Sequence, residues 1–282
     1  MPNPGTLRHA LRNWRVLVGG ALLLVLAISA IFAPQLAPYD PLDQDLSAQL
    51  APPDWTISSD THALGTDSLG RDVLSRLIYG SRVALTVALV AGILTALAGT
   101  ALGLAAGFFG GWVDIAISRA VDIWSSFPPV LLSIILVALI GTGLWSVVAA
   151  IVLIDWTRFC RVVRAETLKQ RRLDYVDAAV VAGLTPRRIL WREVVPNVLP
   201  LALVLLTLEM GIAVVVEAIL SFVGLSISSD TPSWGGMIAE GREVVHEAPW
   251  VLIGAMVVLL LTVLGFNVLG DGLKAELDPV LR

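Results

Sequence analysis

Residues 83–106, VALTVALVAGILTALAGTALGLAA, decide the fold class. They contain no charged residue. As a helix rising about 1.5 Å per residue they exceed the ~30 Å hydrocarbon core of a bilayer. Similar runs recur at about 14–33, 122–141, 144–164, 199–222 and 250–270. The 282-residue chain is 56% hydrophobic and 15% charged, with mean hydropathy +0.82. Soluble domains carry about a quarter charged residues, so the composition excludes an ordinary soluble enzyme. An all-α membrane protein with six transmembrane helices is expected. The first run has Arg8, Arg12 and Arg15 in front and Ala30 and Ala33 behind, like a cleaved signal. It is longer than an ordinary signal core and five runs follow, so it is read as a retained span.

Lysine and arginine set the orientation. With the N-terminus inside, the inner segments take Arg8, Arg12, Arg15, Arg119, Arg158, Arg161, Arg164, Lys169, Arg171, Arg172, Arg187, Arg188, Arg192, Lys274 and Arg282. Only Arg71, Arg76, Arg82 and Arg242 fall outside. Both termini are therefore expected in the cytoplasm, together with the loop at about 165–200. The net charge of −4 adds little, because acids weigh little in topology.

The second run carries Gly99, Gly103 and Gly107 at intervals of four, extended backwards by Ala88, Gly92 and Ala96. Such a stripe lets another helix approach closely in lipid. Whether that helix belongs to this chain or another is open. Three acids lie in or near apolar runs, Asp155, Glu209 and Glu217. A carboxylate at a helix centre costs about 2.5–3.5 kcal/mol on insertion scales, so it faces protein or a watery path. Asp155 either pairs with Arg158 one turn on or lines a translocation pathway. Glu209 and Glu217 lie about 12 Å apart along one helix and about 80° around it, a possible polar track. Glu217, near the outer end, can instead reach water or a loop amide.

The outer loop at about 34–82 closes with HALGTDSLGRDVLSRLIYGSR. Asp67 or Ser68 is expected to cap an amphipathic helix from Leu69 to about Tyr79, lying on the outer membrane surface. Trp234 and Trp250, in and beside the last outer loop, suit the membrane interface. Phe127-Pro128-Pro129 marks a helix start or a kink in the third run.

Between apolar neighbours lies the charged segment 175–200, YVDAAVVAGLTPRRILWREVVPNVLP. It reads as a helix over Tyr175–Ala182, a break at Gly183, a second helix over Thr185–Val195 and a stop at Pro196. Arg187, Arg188 and Arg192 lie on the second arm. No GxxxxGK[ST], HExxH or GxSxG occurs, so the chain is not expected to hydrolyse ATP, and no catalytic residue is assigned. His9, His62, His246 and the lone Cys160 make no metal-site spacing.

Four stretches resemble the inner-membrane permease of dipeptide, oligopeptide and nickel ABC importers, the second, C-type member of the permease pair. They are NWRVLVGGALLLVLAISAIFAPQLAPYDP, HALGTDSLGRDVLSRLIYGSRVAL, the segment 175–200, and EAILSFVGLSISSDTPSWGGMIAEGR. The resemblance covers the chain from about residue 8. Segment 175–200 is similar to the family's EAA loop, which falls on Asp177, Ala178, Ala179 and Gly183 and closes on Pro196, Asn197 and Pro200; Arg187 and Arg188 lie between. Asp177 replaces the usual glutamate, Glu193 stands where a histidine is common, and Ser226-Ile227-Ser228 replaces a glycine-rich turn.

The resemblance implies two parts: 1–82, with the tail, first span and outer loop, and 83–282, a five-helix permease core. It implies half of a translocation pathway in a bacterial inner membrane. The implied partners are a second homologous permease, two cytoplasmic ATPase subunits or one two-domain ATPase, a solute-binding protein and membrane lipid, without nucleic acid. ATP and Mg would be bound by the ATPases, with no cofactor in this chain. The implied substrates are short peptides, with nickel chelates, glutathione or another small solute as alternatives. A carrier that uses Asp155, Glu209 and Glu217 for protons or ions is the competing reading, and the hairpin argues against it.

Overall fold

The computed structural model describes residues 13–54, 62–226 and 231–277. Arg8, His9, Arg12, Ile227, Ser228 and Arg282, all named above, lie outside the described residues. Among the described residues the fold is helical, with no strand and one isolated bridge between Thr66 and Asp72. In chain order the helices are α1 (Trp14–Ile31), α2 (Ala33–Leu36), α3 (Val73–Phe109), α4 (Gly111–Ser125), α5 (Pro129–Ile140), α6 (Leu144–Arg171), α7 (Asp174–Val181), α8 (Pro186–Ile189), α9 (Val195–Phe222), α10 (Trp234–Glu243) and α11 (Pro249–Leu277). Leu190–Val194 forms a π-turn between α8 and α9.

Four stretches are long and apolar enough to cross a membrane: Trp14–Ile31, Val73–Phe109, Pro186–Phe222 and Pro249–Glu276. The third run does not form one helix. α4 and α5 meet at 88° and count together as a broken span or a re-entrant loop. Two consecutive prolines cause the break: each lacks an N–H, and the residue before a proline is driven out of the helical region. Pro128 accordingly sits extended at ψ 122°. α6 is 28 residues long but carries Asp155, Arg158 and Arg161 within its apolar part. By length and composition the chain thus offers four to five spans, fewer than the six expected.

The glycine stripe finds its partner in this chain. A Cβ on Gly99 would lie 2.7 Å from Trp156 O, one on Gly103 2.8 Å from Cys160 O, and one on Gly107 2.9 Å from Arg164 O. Every fourth residue of α3 thus abuts every fourth carbonyl of α6, close enough for Cα–H···O contacts. Gly92, further up α3, faces Met210 of α9 instead. α1 lies on α11, where Gly19 approaches Leu269 N and Gly265 meets Leu22 and Leu23.

The outer face departs from expectation. Asp72, not Asp67 or Ser68, caps α3, accepting from Ser75 N at 2.7 Å. There is no separate surface helix over Leu69–Tyr79, because nothing between Tyr79 and Val83 interrupts propagation of the span. Gly80 makes room for a neighbour: a Cβ there would lie 2.7 Å from Trp234 Cδ1. Trp234 is accordingly buried, not interfacial, and its Nε1 donates to Leu77 O at 3.0 Å. Trp250 Nε1 donates to Thr66 O at 3.1 Å.

Asp67 turns the loop, accepting from Leu69 N at 2.8 Å and Arg71 Nε at 2.7 Å. Arg71 and Arg76 also bond Glu240 of α10, at 2.9 Å and 2.6 Å, and Arg76 bonds Asp67. This buried cluster joins the two outer loops; Arg76 is only 3% exposed.

Three substitutions test this packing. Gly103→Val should destabilise by about 1–3 kcal/mol, as overpacking does, whereas Gly20→Val, where an added Cβ meets nothing within 4 Å, should leave the melting temperature of the purified protein unchanged. Arg76→Ala should cost about 3 kcal/mol by leaving Asp67 buried with one fewer cation, and limited proteolysis should then cut the loops before α3 and around α10.

Candidate functional site

The segment 172–200 folds as a hairpin hung from α6. α7 ends in a Schellman motif, with Leu184 N donating to Ala179 O at 3.1 Å and Gly183 N to Val180 O at 2.9 Å. The motif needs a left-handed residue, and Gly183 supplies φ +79°. A Cβ there would meet nothing within 4 Å, so the backbone conformation, not space, selects glycine. Thr185 and Pro186 start α8, with proline in the first turn where no N–H partner is needed.

The expected stop at Pro196 is not found. The second arm passes through the π-turn directly into α9, where Val195 N donates to Leu190 O. The wider turn resets the hydrogen-bond ladder, so Pro196 falls in the first turn of the next α-helix and is tolerated. Pro200 lies inside α9. The hairpin is therefore continuous with a span.

Tyr175, which the sequence reading did not single out, closes the base. Its hydroxyl donates to Gln170 Oε1 at 2.8 Å and accepts from Asn197 Nδ2 at 3.3 Å. Asn197 Nδ2 also donates to Glu193 O at 2.6 Å. Burial pushes the Tyr175 phenol above its ordinary value, so it stays protonated and donating at neutral pH. α6, α7 and α9 thus meet at one phenol. Val176 and Ile189 turn inward, against a cluster with Phe108, Phe159 and Val163. The opposite face is bare: Asp177, Ala178, Gly183, Arg187 and Arg188 are exposed. Val181 is 89% exposed and Trp191 68%.

The acids divide into two sites. Asp155 of α6 and Glu209 of α9 are buried, and Arg158 lies 3.4 Å from a carboxylate oxygen of each. Asp155 pairs with Arg158, and that pair borders a cavity of about 220 Å³. Glu209 is 2% exposed, and its Oε1 accepts from no N–H or hydroxyl donor among the described residues. Glu217 joins neither. Its Oε1 accepts from Ser221 Oγ at 2.6 Å and Ser226 Oγ at 3.2 Å, and Ser233 Oγ donates to Ser221 Oγ at 3.1 Å. The C-terminal end of α9 is thereby tied to α10. Among the described residues no group of three or more His, Cys, Asp or Glu is placed to hold a metal.

Residues 99–282 match the family model described as binding-protein-dependent transport system inner membrane component, and residues 5–53 match the N-terminal transmembrane domain of oligopeptide transport permease C. The dipeptide transport system permease protein DppC of Haemophilus influenzae is 35% identical over 272 residues, 96% of this chain and 92% of that protein. The di/tripeptide transport system permease protein DppC of Pseudomonas aeruginosa is 38% identical over 267 residues, 94% of this chain and 88% of that protein. Among solved structures, a chain of the inward-facing MetNI methionine ABC transporter superposes with TM-score 0.59 at 21% identity, covering 71% of this chain and 96% of that one. At that identity the likeness concerns the fold alone.

Gly183→Ala should cost about 1 kcal/mol through the left-handed backbone alone, and Gly183→Asn less. Hydrogen exchange over 175–185 should rise in that order, with the spans unchanged.

Proposed function

The chain belongs to the binding-protein-dependent transport system inner membrane component family, and from that premise we propose that it forms half of the translocation pathway of an ATP-driven importer of short peptides. The peptide substrate is supported by the relatives, which are named for dipeptides and di/tripeptides. In this proposal both termini are cytoplasmic and six segments cross: α1, α3, the α4–α5 pair, α6, α9 and α11. Residues 1–82 precede a five-span core at 83–282. α6 crosses in this proposal because Asp155 pairs with Arg158 and Arg164 with Asp114, which lowers the cost of charge within the span.

The hairpin is the proposed docking element for a cytoplasmic ATPase. One observation carries this. Val181 and Trp191 stand almost free of the protein, Val181 at the end of α7 and Trp191 in the π-turn before α9, beside the exposed Arg187 and Arg188. An apolar face rimmed by charge is the usual form of a protein-binding surface. Ala178 and the turn at Gly183 present no bulk, so a partner's surface can come close. Asp177, at the start of α7, suits the positive end of that helix.

Motion would pass from the hairpin by two rigid links. The π-turn carries it into α9, and the Tyr175 hydroxyl carries it into α6. These two helices hold Glu209 and Asp155 on either side of Arg158, so a relative shift would open or close the charged site about midway along α6. Glu217, bonded to serines, is proposed as an anchor at the outer end rather than a pathway residue. ATP and Mg would be bound by two ATPase subunits or one two-domain ATPase, and this chain would hold no cofactor. A second homologous permease would complete the pathway, and a solute-binding protein would dock on the outer loops joined by Asp67, Arg71, Arg76 and Glu240.

The tagged chain, extracted in mild detergent, should bring down a second permease and an ATPase that hydrolyses ATP. Asp177→Lys combined with Gly183→Trp should lower the co-purified ATPase roughly tenfold or more, as loss of an interface anchor worth about 2 kcal/mol would. A lone chain without ATPase activity would favour the ion-coupled carrier instead.

A further inference from the structure

The groove between α4 and α6 carries a charge pattern that docking to an ATPase does not explain. Arg158, Arg161 and Arg164 recur every three residues along α6. One cavity of about 220 Å³ is lined by Trp124, Ser125 and Phe127 at the α4–α5 break and by Asp155, Arg158 and Arg161. A second, of about 330 Å³, shares Arg161 and extends to Arg164. Together they have the size of a small-molecule site, about 300–1,000 Å³.

Two of the three arginines have carboxylate partners. Arg164 bonds Asp114, with Nη2 donating at 2.7 Å. Arg158 lies between Asp155 and Glu209. Arg161 has no carboxylate within ion-pair range among the described residues; its Nη2 donates to Ser125 Oγ at 2.9 Å. Counted from Leu144, Arg161 lies about 25 Å along α6, within the ~30 Å hydrocarbon depth if α6 starts at the outer surface. A cation at that depth needs water or an anion beside it. Guanidinium recognises a carboxylate with two parallel hydrogen bonds, and Trp124 and Phe127 give the same cavity an apolar wall.

We propose that Arg161 forms a carboxylate subsite that takes the C-terminal carboxylate of a short peptide in transit, while Trp124 and Phe127 accept its last side chain. The inference rests on the importer function proposed above. It makes Arg161 a specificity-determining residue and distinguishes free peptides from amidated ones inside the membrane, independently of any binding protein.

The test uses the assembled complex, both permeases with their ATPase, in phosphatidylcholine nanodiscs without binding protein. Equilibrium binding of radiolabelled dialanine and of its C-terminal amide is compared. The free acid should bind about tenfold more tightly, the worth of one charge-assisted pair. Arg161→Gln should erase that preference and Arg161→Lys should restore part of it; the side chain is exposed, so neither change disturbs packing. Adding phosphatidylglycerol should change nothing. Equal binding of acid and amide by the wild type, or a preference that survives Arg161→Gln, would overturn the proposal. Displacement of the peptide by phosphatidylglycerol would overturn it too, by making a lipid headgroup the anion. ATP-driven dialanine uptake with the binding protein is measured on the same complex reconstituted into sealed phosphatidylcholine vesicles, and its absence would count against the importer function itself.

Discussion

Three glycines of α3 lie against three backbone carbonyls of α6, and much of the molecule is positioned by that contact. In lipid there is no hydrophobic force between helices, so association relies on close packing and weak polar contacts. Gly99, Gly103 and Gly107 remove every side chain that would hold the two helices apart. α6 is thereby fixed along the length that carries Asp155 and Arg158 near its middle and Gln170 near its C-terminal end. The buried acids and the base of the hairpin inherit their places from the same helix–helix seam. Cys160 is buried in that seam, which accounts for it as a packing residue.

Much of this was legible in the chain. Runs of apolar residues announced the spans, the four-residue glycine interval announced a close helix pair, and Gly183 announced the turn of the hairpin. What was not legible came from contacts between distant segments. Proline at 196 looked like a stop because local rules do not foresee a π-turn that resets the ladder. Asp67 looked like a cap because it precedes an apolar periodicity, yet Arg71 and Arg76 claim its carboxylate and leave the cap to Asp72. Trp234 looked interfacial by residue type, but Gly80, far away in sequence, opens a pocket for its ring. Tyr175 gave only one signal, an aromatic hydroxyl opening a charged segment, and its partners Gln170 and Asn197 lie on two other helices. Six apolar runs became four to five apolar spans because paired prolines divide one run and charges dilute another.

The charged residues within the spans sort by partner. Glu217 is satisfied by hydroxyls and joins α9 to α10. Asp155 and Glu209 share one arginine, and one buried oxygen of Glu209 accepts from no N–H or hydroxyl donor among the described residues. A fully satisfied buried network stiffens a structure, whereas a partly satisfied one is expected where something else binds or moves. That contrast separates the outer end of α9, which is anchored, from its middle, which faces α6 across a shared cation.

The account stands or falls on what covers the exposed face of the hairpin. The most direct measurement places a photoreactive maleimide on Val181→Cys and irradiates intact membranes that hold the whole complex. The account predicts one dominant adduct, between this chain and a cytoplasmic ATPase subunit, whose yield changes when ATP is added. Adducts to lipid alone, or none that involve an ATPase, would contradict it.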